Sequence, residues 1–247
     1  MLHPESRFER YKEKIRALNA AEKDGILSED FLLGQDSGVQ IYYAPHNEYV
    51  NEKARVLVVG ITPGWSQTKI AYQTAQRALR SGRTDAQVCF ECKIASRFAG
   101  TMRGNLISML GELRLQESLG LASCLELFAK ESSLLHTTSL IRYPCFYRGK
   151  NYGGHTPPMA SVGLLRRYIR NEFPEELRCI PDLQLIIPLG TAVESVLRTL
   201  LEPESALYGR VLWGFPHPSG LNGGRKAQFE ENRERMAEIA EDALHKR

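Results

Sequence analysis

The chain has 247 residues, 43% hydrophobic and 25% charged, a balance that is enough to bury one large core and is ordinary for a soluble globular domain. A formal net charge of +3 is only mildly basic, so a nucleic-acid partner requires that positive charge be gathered on one face. No stretch approaches a membrane span, and the opening MLHPESRFERYKEK carries acidic residues and no apolar run, which excludes a secretory signal and predicts a cytoplasmic protein with no membrane partner.

In chain order, the segment from Pro4 to Ala21 places Phe8, Tyr11, Ile15 and Leu18 at helical spacing among charges and predicts an amphipathic helix. Apolar runs with strand character follow at Arg55 to Gly60, Thr137 to Arg142, Leu183 to Gly190 and Arg210 to Phe215, each ending in a turn signal. Between them, helix periodicity runs over Gln67 to Arg80, Met102 to Leu115, Met159 to Phe173 and Thr191 to Leu201, and a closing amphipathic helix over Lys226 to Lys246. No repeat, low-complexity tract or Ser/Gly linker divides the chain. The alternation predicts a single α/β domain over residues 1–247, monomeric, a three-layer α/β/α sandwich with a central, mostly parallel four-stranded sheet, to which the helices near 4–21 and 226–246 are added.

In an open parallel sheet, ligands bind beyond the carboxyl ends of the strands. Two post-strand sequences combine Pro, Gly and short polar residues: Gly60-Ile61-Thr62-Pro63-Gly64 before Trp65-Ser66, and His217-Pro218-Ser219-Gly220-Leu221-Asn222 before Gly223-Gly224-Arg225. Neither is a phosphate-binding loop, since no Gly-Lys-Ser/Thr follows. Together they resemble the two signature motifs of the uracil-DNA glycosylase superfamily. Between them, Arg97-Phe98-Ala99-Gly100 with Gly104 and Met109-Leu110 is similar to the segment after the first motif in the thermophilic and mismatch-specific branches, and Cys179-Ile180-Pro181-Asp182-Leu183 leading to Ile187-Pro188-Leu189-Gly190 is similar to the segment before their third strand.

The resemblance implies an enzyme that hydrolyses the N-glycosidic bond of an aberrant base flipped out of DNA. Its catalytic residues would be Thr62, beside the hydrolytic water, and His217, donating a hydrogen bond to the base carbonyl that gains charge as the bond breaks. Gly60, Ile61, Pro63, Gly64, Phe98 and Ser139 would line the base pocket, Phe98 by stacking. DNA would be held by Ser219, Gly220, Asn222 and Arg225, with Leu221 as a wedge in the duplex. Thr62 stands where the superfamily often has Asp or Asn, and Ser139 where uracil-reading branches have Asn, so a non-catalytic DNA-binding module stands beside the glycosylase as an alternative, and a modified base beside uracil as its substrate.

From Arg142 to Asn171 there are six Lys or Arg and no acidic residue, with aromatics interleaved. Arg142, Arg148 and Lys150 are therefore expected at backbone phosphates. Cys89-Phe90-Glu91-Cys92 is a C-x-x-C, the pattern of a metal site. The superfamily's cluster-binding pair precedes the first motif rather than following it, and only Cys145 and Cys179 could complete a four-thiolate set here, so no iron–sulfur cluster or other cofactor is expected.

Overall fold

The computed structural model describes residues 1–129 and 132–245. Its strands are β1 (Leu32–Asp36), β2 (Val39–Tyr42), β3 (Val56–Gly60), β4 (Leu135–Ser139), β5 (Cys145–Tyr147), β6 (Lys150–Asn151) and β7 (Leu185–Pro188). Its α-helices are α1 (Phe8–Ala17), α2 (Lys23–Ile26), α3 (Trp65–Arg80), α4 (Asp85–Ser96), α5 (Thr101–Glu112), α6 (Leu115–Leu119), α7 (Gly163–Arg167), α8 (Phe173–Arg178), α9 (Thr191–Leu200) and α10 (Arg225–His245). The fold is mixed α/β. Among the described residues no helix is long and apolar enough to cross a membrane.

The chain forms two compact units, neither of them contiguous in sequence. The first comprises Met1–Val50, Ile61–Ala99 and Ser139–Cys179; the second comprises Asn51–Gly60, Gly100–Thr138 and the chain from Ile180 onward.

The first unit holds an antiparallel sheet in the order β1-β2-β5-β6, which the periodicity of the sequence does not announce. Two tight hairpins make it. Ser37 and Gly38 join β1 to β2, and Arg148 and Gly149 join β5 to β6, all four at positive φ, the backbone a two-residue turn needs to match the strand twist. Gly38 is required twice over, because a Cβ there would meet the Tyr147 ring at 3.2 Å. Helix α1 buries Phe8, Tyr11 and Ile15, as its spacing predicts, and Tyr11 stacks on Tyr43 with ring centroids 4.1 Å apart. Helix α4 starts on a capping box in which Thr84 accepts from the Gln87 amide.

The helix expected over Met159 to Phe173 is broken into a 3-10 turn, α7 and a π-turn at Tyr168–Glu172 that runs into α8. The wide turn leaves both Tyr168 and Glu172 buried, where each bonds Arg7.

The second unit holds a parallel sheet in the order β4-β3-β7, with Val56 opposite Leu185 and Val59 opposite Pro188. Every residue of β3 and β7 is buried, which accounts for their unbroken apolar runs. Three of the four expected strands form, the second as Leu135–Ser139 rather than Thr137 to Arg142. Arg210 to Phe215 makes only a single parallel bridge, Val211 to Ile186, because the chain turns immediately: the Trp213 amide donates back to the Val211 carbonyl and the Phe215 amide to that of Leu212. Helices α5, α9 and α10 cover the predicted spans to within a few residues, except that Lys246 lies outside the described residues.

Candidate functional site

In the first unit, the loop after β3 is closed by its own side chains. The Thr62 hydroxyl donates to the Tyr143 carbonyl at 2.8 Å and accepts from the Cys145 amide at 2.9 Å, while the Ile61 carbonyl takes the Ile141 amide at 3.0 Å. A hydroxyl has one proton, and that of Thr62 is spent on backbone. The residue pins two segments together and has no proton left to orient a water. Pro63 is buried. The Gly64 amide donates to the Gln67 side chain at 3.1 Å, and the Trp65 amide that opens α3 donates to Asn151 Oδ1 at 3.1 Å. Asn151 lies 86 residues from Trp65 on a two-residue strand, with no local pattern to mark it in the sequence.

Phe98 is buried at a positive φ of 47°, and Ser139 is buried at the end of β4. Arg148 and Lys150 are exposed on the β5–β6 hairpin, Arg148 lying over the Tyr147 ring at 5.1 Å. They can meet phosphates.

Arg142 cannot. It is 2% exposed, and its Nη2 donates to the Glu5 carbonyl at 2.9 Å and the Tyr143 hydroxyl at 2.7 Å and pairs with Glu172 at 3.1 Å. The expectation of a phosphate contact fails because charge counted along the chain does not distinguish a surface arginine from one paired in the interior. A network surrounds it: the Tyr143 hydroxyl donates to Glu48 at 2.6 Å, the Arg7 amide donates to Glu48 at 3.0 Å, and the Arg7 guanidinium pairs with Glu172 at 3.0 Å. Lys93 donates to Asn47 at 2.7 Å, and Asn47 to the Arg142 carbonyl at 2.8 Å. Burial holds the Lys93 ammonium down to about 8 and raises the Glu172 carboxyl, and burial followed by the nearby Lys93 charge pushes His46 down to about 3. Cys89 and Cys92 are buried on α4 with their thiols pushed up by burial, and Cys92 donates to the Ala71 carbonyl.

In the second unit, the loop from His217 to Asn222 keeps chemistry available. His217 Nδ1 accepts the Ser219 amide at 3.2 Å, and burial lowers the imidazole pKa. The ring is therefore neutral near pH 7 with its proton on Nε2, a hydrogen-bond donor without a charge. The Ser219 hydroxyl accepts from the Leu221 amide at 3.2 Å and retains its own proton to donate. Leu221 is 97% exposed, a large apolar side chain presented to solvent.

The backbone of this loop is braced from behind. Asn105, on α5, donates to the Pro218 carbonyl at 2.8 Å; Arg225 donates to the Pro218 and Ser219 carbonyls at 3.1 and 3.0 Å; Asn222 donates to the His217 carbonyl at 3.2 Å. Asn222 and Arg225, expected at DNA, thus spend these donors on holding the turn. Gly190 fixes the base of the loop, since a Cβ on it, at φ +88°, would lie 3.0 Å from the His217 Cβ. Asn105 escapes a reading of the sequence because an Asn inside a helical pattern has no signature.

The chain is similar to the uncharacterized protein YoxB of Bacillus subtilis (strain 168), with 41% identity over 237 residues, covering 96% of this chain and 93% of the relative. No family model matches the chain, and no solved structure matches it.

Proposed function

The chain belongs to the family of the Bacillus subtilis protein YoxB, and we propose that it is a DNA glycosylase that hydrolyses the N-glycosidic bond of an aberrant or modified base flipped out of DNA. The observation that carries this reading is the His217 loop: a neutral imidazole held through Nδ1, with an Nε2 proton to donate, in a turn whose carbonyls are tied down by Asn105 and Arg225. A departing base leaves as an anion, and a pre-aimed donor at its carbonyl strengthens as that charge develops, worth about 3–4 kcal/mol where such donors are removed. The free Ser219 proton suits a phosphate and the exposed Leu221 suits the gap left in the duplex, while Arg148 and Lys150 supply sequence-independent attraction. With this reading goes the superfamily's three-layer sandwich, in which the bridge at Val211 takes the place of a fourth strand.

Thr62 favours the second reading, a DNA-binding module without catalysis, because its hydroxyl is committed to the Tyr143 carbonyl. Incubation with single- and double-stranded oligonucleotides carrying uracil, hypoxanthine, thymine mismatches or modified cytosines, followed by alkaline cleavage, separates the two. Strand scission on one substrate supports the glycosylase. Salt-dependent binding without scission on any substrate supports the module, and absence of binding overturns both.

A further inference from the structure

A cavity of about 400 Å³ opens in the second unit between α5 and the first turns of α10. Its volume falls among small-molecule sites, which run from roughly 300 to 1,000 Å³. Met109 and Phe229, both buried, give it an apolar floor. Its polar rim carries Ser108 and Glu112 from α5, the Ser108 hydroxyl donating to Glu112 at 3.3 Å, and Lys226 and Glu230 from α10, the Glu230 carboxylate being paired with Arg233 at 2.7 Å. Asn105 and Arg225 complete the wall, and these are the same two side chains that hold the Pro218 and Ser219 carbonyls.

An apolar floor takes the face of a ring. A carboxylate on the rim accepts from ring N–H and amino groups, and a lysine pairs with a phosphate. One ligand class presents a flat ring, an N–H edge and an anionic end together. We propose that this cavity binds a nucleotide, with the base on Met109 and Phe229, its N–H edge toward Glu112 and its phosphate toward Lys226, and that occupancy is transmitted through Asn105 and Arg225 to the His217 loop. The choice of a nucleotide rests on the nucleic-acid reading above, whereas the cavity and its link to the loop do not. Guanine, with two adjacent N–H groups on one edge, suits Glu112 better than thymine, which has one.

The test uses the whole chain and free mononucleotides, with no DNA and no turnover. Titration with deoxyguanosine monophosphate, followed by amide NMR, is expected to move the signals of Ser219 to Asn222 and to give tighter binding than thymidine monophosphate. Ser108→Trp, which fills the cavity, is expected to weaken binding by about tenfold or more, and Lys226→Ala, on an exposed helical position that leaves the fold intact, by about three- to tenfold. Glu112→Gln should remove the preference between the two nucleotides. Absence of binding at millimolar nucleotide, affinity indifferent to both Ser108→Trp and Lys226→Ala, or binding that leaves the loop signals unmoved overturns the proposal. Nucleotide binding in a protein that cleaves none of the oligonucleotides leaves the cavity assigned and removes the glycosylase; cleavage without nucleotide binding does the reverse.

Discussion

The two loops that resemble superfamily motifs use their polar groups in opposite ways. The loop around Thr62 spends both capacities of its hydroxyl on the backbone at Tyr143 and Cys145, and the nearby Arg142 is spent on Glu172, Tyr143 and the Glu5 carbonyl. The loop around His217 uses Asn105, Asn222 and Arg225 for bracing and, among the described residues, leaves the imidazole Nε2, the Ser219 proton and Leu221 uncommitted. Two sequences of similar style thus differ in what they can offer a ligand, because a hydrogen-bonding group already satisfied inside the protein must be freed at a cost before it can act. The first loop is the more fully satisfied by the protein's own backbone, the second the less.

The strongest test of that division is Arg142→Ala. Removing one partner of a buried ion pair strands the other, so the loss of stability is expected at about 3–5 kcal/mol in urea unfolding, with Arg142→Met milder because it leaves no hole for the alkyl stem. A loss under about 1 kcal/mol for Arg142→Ala would mean that the network is not what holds the first unit. Next in size is His217→Ala, expected to slow single-turnover base release by about 10²- to 10³-fold while DNA affinity changes little. Because burial lowers its pKa below the ordinary imidazole value, the wild-type rate should hold steady as pH falls from 8 toward 7, where the neutral donor predominates. Equal losses of melting temperature and rate in the alanine variant would reassign His217 to structure.

Thr62→Val sharpens the comparison from the other side. It keeps the shape and removes the hydroxyl, leaving the Tyr143 carbonyl and the Cys145 amide unpaired, so a loss of about 1–3 kcal/mol is expected, with Thr62→Ser retaining most of the native stability. If Thr62→Val instead abolishes turnover in a protein of unchanged stability, the residue is catalytic and the division falls. The smallest effect is in pH. Folded His46 is held down to about 3 against 6.5 for the free side chain, so between those values the unfolded chain binds the extra proton. Stability from this group is complete above pH 6.5 and declines on acidification by about 1.4 kcal/mol per pH unit. Urea midpoints at pH 7.5 and 5.5 should differ less in His46→Leu than in the wild type; an equal difference removes His46 as the source.

Two strands of the parallel sheet are legible in the sequence, while β4, buried throughout but mostly polar, begins two residues before the expected start. The runs at Val56–Gly60 and Leu185–Pro188 are unbroken because both faces of each strand are buried, and such burial leaves its trace in every residue. The spans of α1, α3, α9 and α10 are legible in the same local way, whereas α4 is not, and the span over Met159 to Phe173 is broken by its π-turn. The antiparallel sheet of the first unit is not legible. Its strands have two to five residues, and it pairs Ile41 with Cys145, so its order depends on partners that no window along the chain contains.

Function divides in the same way. The two loops can be found from their Pro, Gly, Ser and His content, because turn chemistry is local. Whether a group in those loops is available for work is decided only by tertiary structure. Thr62 is closed off by carbonyl and amide groups 81 and 83 residues away, Arg142 is drawn inward by Glu172, and His217 is kept neutral by burial. Hydrogen-bond satisfaction and desolvation depend on neighbours in space, and residue type alone specifies neither.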